Sequence, residues 1–318
     1  MARVLLLAAR DLTTWNGRVQ VLHTIIGSLA AGGHEVVCAV LGGPPQPPAV
    51  PGTVAVHRLP DVPPSRVVTG RSARRRGLRS LNERLYWSPQ VRDAVRELTD
   101  REDVDLVVAD GVRVAAYAED SGRPWFVDLD DLLSARYDLW KDRRVDLAQL
   151  LGHRRPTSRL VAGALRRVPA ARLLSGEAVR LAAREAELAR SASGVSLVSP
   201  AEAAQLAERA GRRVRCLPMA VTADVHRVWS PAAAPDRRLA FCGSLSVYAN
   251  QEAVRWWVDD LHPALARHGL GSWRLHVFGQ VPPDVRAWAS VPSVELHGPL
   301  PRAELHRQLV GFPAVLAP

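Results

Sequence analysis

The sequence predicts an α/β protein made of two doubly wound parallel-sheet domains, the second of them incomplete. Short apolar runs alternate with segments of helical periodicity along nearly the whole chain. The alternation falls into two blocks, divided by a pattern-poor stretch rich in Ala and Pro. The length of 318 residues agrees, because domains run to about 150 residues each. The boundaries expected are 1–228 for the first domain, 229–237 for the linker and 238–318 for the second.

Residues 3–9 read as a buried strand. After a polar loop, Arg18 to Ala31 carries Val21, Leu22, Ile25, Ile26 and Leu29 at the spacing of one helix face. Gly32-Gly33 ends that helix, since glycine accepts the left-handed conformation of a helix C-terminus. His34 to Leu41 is a second strand, which completes a βαβ unit. Val54 to Leu59 is a strand, the arginine-rich stretch 62–80 is expected to be mobile, and Leu81 to Leu98 is helical. Leu106–Asp110 and Trp125–Asp128 are strands ending in carboxylates, and 135–190 is mainly helical and basic. Val195–Val198 is a strand. Ser199-Pro200-Ala201-Glu202 has helix-start chemistry: a serine cap, Pro in the first turn and an acid behind it. Val214–Leu217 closes the first block. In the second, strands are expected at Leu239–Cys242, Arg274–Phe278, Val294–Leu296 and Ala314–Ala317, with helices at Gln251–His268, Pro283–Ala289 and Arg302–Val310.

Composition excludes several classes. Apolar residues make up 47% and charged residues 23%, as in ordinary globular proteins. Val4 to Ala9 is too short an apolar run for a signal peptide or a membrane span, so a cytoplasmic protein is expected. Cys38, Cys216 and Cys242 lie far apart in apolar runs and read as small buried hydrophobes in a reducing compartment. With no CxxC or HExxH, no metal is expected. The formal charge is +10, and 41 of the 42 basic residues are arginine. Residues 62–101 and 132–190 hold most of the excess. Arg66, Arg71, Arg74, Arg75, Arg76 and Arg79 form one basic set, and Arg143, Arg144, Arg154, Arg155, Arg166 and Arg167, interspersed with leucines, a second. Either could meet an anionic membrane peripherally at the inner face or remain a solvated helix face. Nucleic acid is a poor fit, because no binding motif accompanies the charge.

In doubly wound sheets, ligands bind beyond the carboxyl ends of the strands. The first such loop holds Asn16 and Gly17, and a glycine there lets backbone amides approach an anion at the helix N-terminus. Gly17 could equally serve only to shape the turn. GxGxxG and GxxxxGK[ST] are absent, which removes most support for a nicotinamide enzyme or a P-loop ATPase. Asp128-Leu129-Asp130-Asp131 is the densest carboxylate cluster. Carboxylates this close invite a partner, whether a metal, an arginine or sugar hydroxyls; alternatively Asp128 or Asp130 caps the following helix. In the second block Phe241-Cys242-Gly243-Ser244, Val277-Phe278-Gly279 and Leu296-His297-Gly298 each end a strand in glycine, which suggests one surface where backbone lies close to a ligand.

These motifs carry a resemblance. Gly17 with Ala31-Gly32-Gly33-His34-Glu35-Val36 resembles the opening of GT-B glycosyltransferases, enzymes of two Rossmann-like domains. Ser191 to Ser199 is similar to their segment entering the interdomain region. Phe241 to Asn250, followed by Ala253-Val254 and Trp256-Trp257, resembles the nucleotide-sugar domain of glycosyltransferase family 4 in its exopolysaccharide-type branch. Asp128 to Asp131 with Ser134, Arg136 and Tyr137 resembles an acidic motif of that branch, and Val277-Phe278-Gly279, Gly298 and Val315 to Pro318 fit its later strands. The resemblance spans nearly the whole chain, weakly at about 60–105.

It implies a retaining hexosyltransferase that takes a nucleotide-diphosphate sugar as substrate, with no cofactor or metal, and a glycan, lipid-linked or small-molecule acceptor. Asn16, Gly17, Gly243, Ser244, Asn250, Gly279 and Gly298 would hold the donor. Asp128 and Asp130 would stand where a catalytic base or orienting group belongs, and Asp131 and Arg136 would touch the acceptor. The sequence departs from the pattern in three places. Tyr248 and Asn250 stand where a basic residue is usual, and Met219 to Asp224 replaces an Asn-Gly-Val-Asp-like turn. The chain also ends at Pro318, ahead of the family's Gly-rich donor loop and its glutamate pair. The expectation is therefore a second domain cut short and a poor catalyst alone. The alternatives are a non-catalytic fragment or binding protein of the same fold, or a sugar-nucleotide epimerase.

Overall fold

The computed structural model describes residues 1–13, 16–42, 44, 47–62, 73, 76–141, 170–219 and 237–317. The linker expected at 229–237, save its last residue, lies outside them, as do most of 62–80 and the whole second arginine set. The chain divides into two compact units, Met1–Ala220 and Val221–Pro318. No helix among the described residues is long and apolar enough to cross a membrane.

In the first unit β1 (Arg3–Ala8), β2 (Glu35–Leu41), β3 (Ala55–Leu59), β4 (Leu106–Asp110), β5 (Trp125–Asp128), β6 (Gly194–Leu197) and β7 (Arg215–Cys216) form one parallel sheet in the order β3-β2-β1-β4-β5-β6-β7. Central strands of such a sheet are covered on both faces and read as unbroken apolar runs. Leu5, Leu6 and Leu7 of β1 are accordingly all buried. The order reverses between β1 and β4, and this switch point opens a crevice at their carboxyl ends.

The helices are α1 (Gly17–Ala31), α2 (Leu81–Arg84), α3 (Pro89–Arg101), α4 (Val112–Glu119), α5 (Leu133–Trp140), α6 (Ala170–Ser191) and α7 (Pro200–Ala210). The single helix expected over Leu81–Leu98 is two. Ser88 accepts a hydrogen bond from the Val91 amide and Pro89 opens α3, the same start chemistry that Ser199 and Pro200 supply to α7. Ser88→Ala is expected to cost about 1 kcal/mol. Hydrogen exchange read peptide by peptide should show faster exchange across α3, with the second unit unchanged. Helix α4 was not foreseen. It starts at Gly111 (φ 77°) with no side-chain cap, so no start signal marks it in the sequence.

Helix α6 carries buried polar side chains rather than a purely solvated basic face. Arg184 bridges Glu83 of α2 at 2.8 Å and Glu119 of α4 at 3.0 Å. Arg76, expected on the first basic face, instead pairs with Glu119 at 2.7 Å and Asp120 at 2.9 Å. Of the cysteines, Cys38 is buried as expected, but Cys216 and Cys242 are exposed. Cys216 lies on a two-residue edge strand, and Cys242 is the last residue of its strand, where the chain leaves the sheet.

The second unit has β8 (Arg238–Cys242), β9 (Arg274–Phe278), β10 (Val294–Gly298) and β11 (Ala314–Val315), all parallel in the order β10-β9-β8-β11. Phe241, Val254, Trp257, Leu275 and Val277 form its core. The helix expected at Gln251–His268 is α8 (Tyr248–Trp256), a π-helical turn (Trp257–Leu261) and α9 (His262–Arg267). Pro263 has no amide hydrogen for the regular ladder. The His262 amide bonds back to the Trp257 carbonyl, five residues earlier. Pro283–Ser290 is a 3-10 helix, and α10 (Arg302–Leu309) precedes β11.

Candidate functional site

Four carboxyl-edge residues of the first unit meet at its switch point. Asp110 ends β4, Asp128 ends β5, Asp130 follows two residues later, and Arg18 rises from the first turn of α1. Arg18 lies 2.7 Å from Asp110, 2.9 Å from Asp128 and 3.2 Å from Asp130. It also donates to the Asp128 backbone carbonyl at 3.2 Å. Arg10, just past β1, takes the second oxygen of Asp110 at 2.8 Å. The Ser196 hydroxyl donates to Asp128 at 2.7 Å.

Side-chain exposure ranks these groups: Arg18 6%, Asp110 1% and Asp128 3%, against 34% for Asp130. Burial opposes the charge on Arg18, but Asp110, Asp128 and Asp130 outweigh it and hold the guanidinium above its ordinary pKa. Burial likewise opposes the charge on Asp110, yet Arg18 and Arg10 keep its carboxyl below the usual value. For Asp130 burial prevails, with Asp131, Asp110 and Asp128 adding to it against Arg18, and its carboxyl is pushed up. Asp130 also has φ 68°, a left-handed conformation uncommon outside glycine. Its carbonyl accepts from the Val198 amide at 2.9 Å, which ties that turn to the end of β6.

Neither Asp128 nor Asp130 caps the helix that follows. Helix α5 starts without a side-chain cap from its own N-terminal residue. The Leu132 amide donates to Glu202 at 3.2 Å, and the Ser134 amide to Glu185 at 3.0 Å. Asp131 pairs with Arg136, whose guanidinium also lies over the Trp140 ring. Asn16 caps α1, accepting from the Val19 amide at 3.0 Å. Gly17 has no positive φ, and among the described residues a Cβ there would meet nothing within 4 Å. Its backbone therefore does not require glycine.

The three glycines of the second unit do come together. The Gly279 amide donates to the Gly298 carbonyl at 2.9 Å, and the Gly243 amide to the Phe278 carbonyl at 2.9 Å. Gly279 (φ 147°) lies so close to its neighbour that a Cβ would stand 2.2 Å from the Gly243 oxygen. A Cβ on Gly243 would meet the Asn250 amide nitrogen at 2.6 Å. That nitrogen donates to the Ser244 carbonyl at 2.9 Å, so Asn250 braces the glycine loop from the first turn of α8. Gly298 needs glycine only for its φ of 75°.

Against solved structures, the chain aligns over 98% of its length with 73% of a lipopolysaccharide outer core galactosyltransferase, WaaB, in its apo form, at TM-score 0.52 and 12% identity. It aligns over 99% with 75% of UGT2 from Phytolacca americana, solved with UDP-2-fluoro-glucose and pterostilbene, at TM-score 0.50 and 13% identity. The fold is GT-B. No family model matches the sequence, and no curated protein matches it. At these identities the likeness fixes the GT-B architecture and leaves the chemistry to the residues. The sequence placed the three glycines at strand ends and the acidic cluster just past β5, as the structure has them. It missed Arg18, Arg10 and Ser196. One signal for Arg18 was available: a cation in the first turn of a helix opposes the helix dipole and needs a compensating anion.

Proposed function

We propose that this chain is a glycosyltransferase that takes a sugar from a nucleotide-diphosphate donor and passes it to a glycan, lipid-linked or small-molecule acceptor. The observation that carries this reading is the gathering of Gly243, Gly279 and Gly298 at one carboxyl edge of a GT-B unit. Their backbone, free of side chains, offers a floor for a diphosphate, with Ser244 and the start of α8 beside it. The Gly243 and Gly279 amides are engaged by the Phe278 and Gly298 carbonyls, so the dipoles that would stabilise the leaving diphosphate are those at the uncapped start of α8. On the acceptor unit, Asp130 is the exposed carboxylate. Its raised pKa suits a group that accepts a hydroxyl proton. Asp128, with both oxygens engaged and buried, is a positioning residue in this reading, as are Arg18 and Asp110. Retention of configuration, and a reaction without metal, rest on the family 4 resemblance.

Isothermal titration calorimetry with uridine, guanosine and thymidine diphosphates tests the donor half. One of them should bind, and no heat from any would reject the reading. Asp130→Asn tests the acceptor half. It should leave diphosphate affinity unchanged while lowering transfer by about 10²–10⁴-fold, the usual contribution of a general base. Diphosphate binding with no turnover across a panel of nucleotide sugars would assign the chain a binding role instead.

A further inference from the structure

One titratable cluster of the second unit is unused by the reaction proposed above. His276 lies on β9, and Glu295 and His297 lie on the edge strand β10, which pairs with β9 alone. The parallel register sets Glu295 opposite His276. The register shifts between Leu296 and Gly298, and at this irregularity the His297 ring turns beside His276. The intervening residues, Leu275, Val277, Val294 and Leu296, pack into the core on the opposite face. The register thus places two imidazoles and a carboxylate side by side.

The three groups lie within reach of a single ion. His276 Nδ1 and His297 Nε2 share a hydrogen bond at 2.8 Å, which an ion between them would replace. One Glu295 oxygen lies 3.6 Å from His276 Nδ1, and the other 3.5 Å from His297 Nε2. Ligands held at about 2.0–2.1 Å around a tetrahedral ion stand about 3.3 Å from one another. The two rings are near parallel, 14° apart, with centroids at 5.0 Å, so the nitrogens meet head to head rather than face to face. Phe278 stacks on His297 at 4.6 Å and Phe312 packs edge-on against His276 at 5.2 Å, which fixes both rings. Glu295 is 49% exposed, which leaves a path for an ion and room for water as a further ligand.

The charges around the cluster bear on affinity in both directions. Arg238 and Arg274 stand within electrostatic reach of His276, as does Glu295 with the opposite charge. The same two arginines repel a cation. The Nε2 of His276 has no hydrogen-bond partner among the described residues. Partners on the second nitrogen of a ligating histidine are typically worth 10–100-fold in metal affinity. An exchangeable site is the consequence, rather than a structural one.

We propose that His276, Glu295 and His297 bind one late first-row divalent ion, with Zn²⁺ as the natural fit, and clip the edge strand β10 to β9. Two nitrogens and one carboxylate suit Zn²⁺, Co²⁺ or Ni²⁺ and disfavour Mg²⁺ and Ca²⁺. This departs from the expectation of no metal, and it is independent of the proposed transfer reaction.

The test is a Co²⁺ titration of the full chain, free of any histidine tag, followed by visible absorption. One equivalent should develop the intense bands of a four-coordinate ion, and Zn²⁺ should displace them. Glu295→Gln and His297→Gln, both at solvent-reachable positions, should each weaken binding at least tenfold while keeping the wild-type circular dichroism spectrum. Wild-type protein that develops no such bands overturns the proposal, whatever the variants do. So does unchanged affinity in both folded variants, which would place the ion on other histidines. A Zn²⁺-dependent rise in melting temperature that His297→Gln abolishes would support the clip.

Discussion

Arg18→Met should destabilise the first unit by about 3–5 kcal/mol at neutral pH, the usual cost of removing one partner from a buried charge cluster. The substitution keeps the length of the side chain and removes only its charge and donors. Asp110 would keep Arg10, but Asp128 would keep only the Ser196 hydroxyl as a side-chain partner. Leaving a buried carboxylate without its cation is what makes the truncation costly. The wild type carries a signature of the intact cluster at the acid end. Asp110 is held below its ordinary pKa, so its contribution is present above about pH 4 and is lost as pH falls through the folded value. Urea midpoints at pH 7 should therefore be lower for the variant, and the gap between the two proteins should narrow as pH is taken below about 4. Arg18→Lys should not rescue, because an ammonium cannot present the planar fork that reaches three carboxylates. A loss below about 1 kcal/mol with parallel pH curves would mean that these aspartates do not depend on Arg18.

The contrast between strands and side-chain partners explains what the sequence disclosed. Buried parallel strands write themselves as continuous apolar runs, so β1, β2, β4 and β5 were legible within a residue or two. The glycines of the second unit were legible as a set because three strands ended alike. Arg18 was not, since one arginine among 41 carries no mark of its burial. Arg184 misled for the same reason. It stands in a basic helical stretch that reads as a solvated face, yet its partners Glu83 and Glu119 come from 101 and 65 residues upstream. Polar burial depends on such distant pairs and leaves no periodicity behind. The break at Ser88-Pro89 was a different kind of miss. Its start signal equals the one correctly read at Ser199-Pro200, but a run of apolar helix positions on both sides masked it. The acidic run 128–131 reads as a cluster inviting partners, and each carboxylate has an arginine: Asp128 and Asp130 pair with Arg18, and Asp131 with Arg136.

Gly279→Ala should be the most damaging single methyl in the second unit. The added Cβ would stand 2.2 Å from the Gly243 oxygen and 2.6 Å from its carbonyl carbon, both backbone atoms that cannot swing away. The residue would also have to keep φ at 147°, where side chains are strained. Strain and overpacking together predict a cost of about 2–6 kcal/mol. Because the chain has two units, one global midpoint would blur the effect. Hydrogen exchange read peptide by peptide should instead show faster exchange across β8, β9 and the Gly243 loop, with the first unit unchanged. Diphosphate binding should be lost with it. Two other glycines separate structure from function. Gly298→Ala meets no atom within 4 Å and suffers only the left-handed penalty of about 1–2 kcal/mol. Gly17→Ala meets nothing among the described residues and needs no unusual φ, so its stability should equal or slightly exceed that of the wild type. If Gly17 faces the donor phosphates, that stable variant will nevertheless bind nucleotide sugar more weakly. If it binds equally well, the glycine at the first turn of α1 is no part of the donor site.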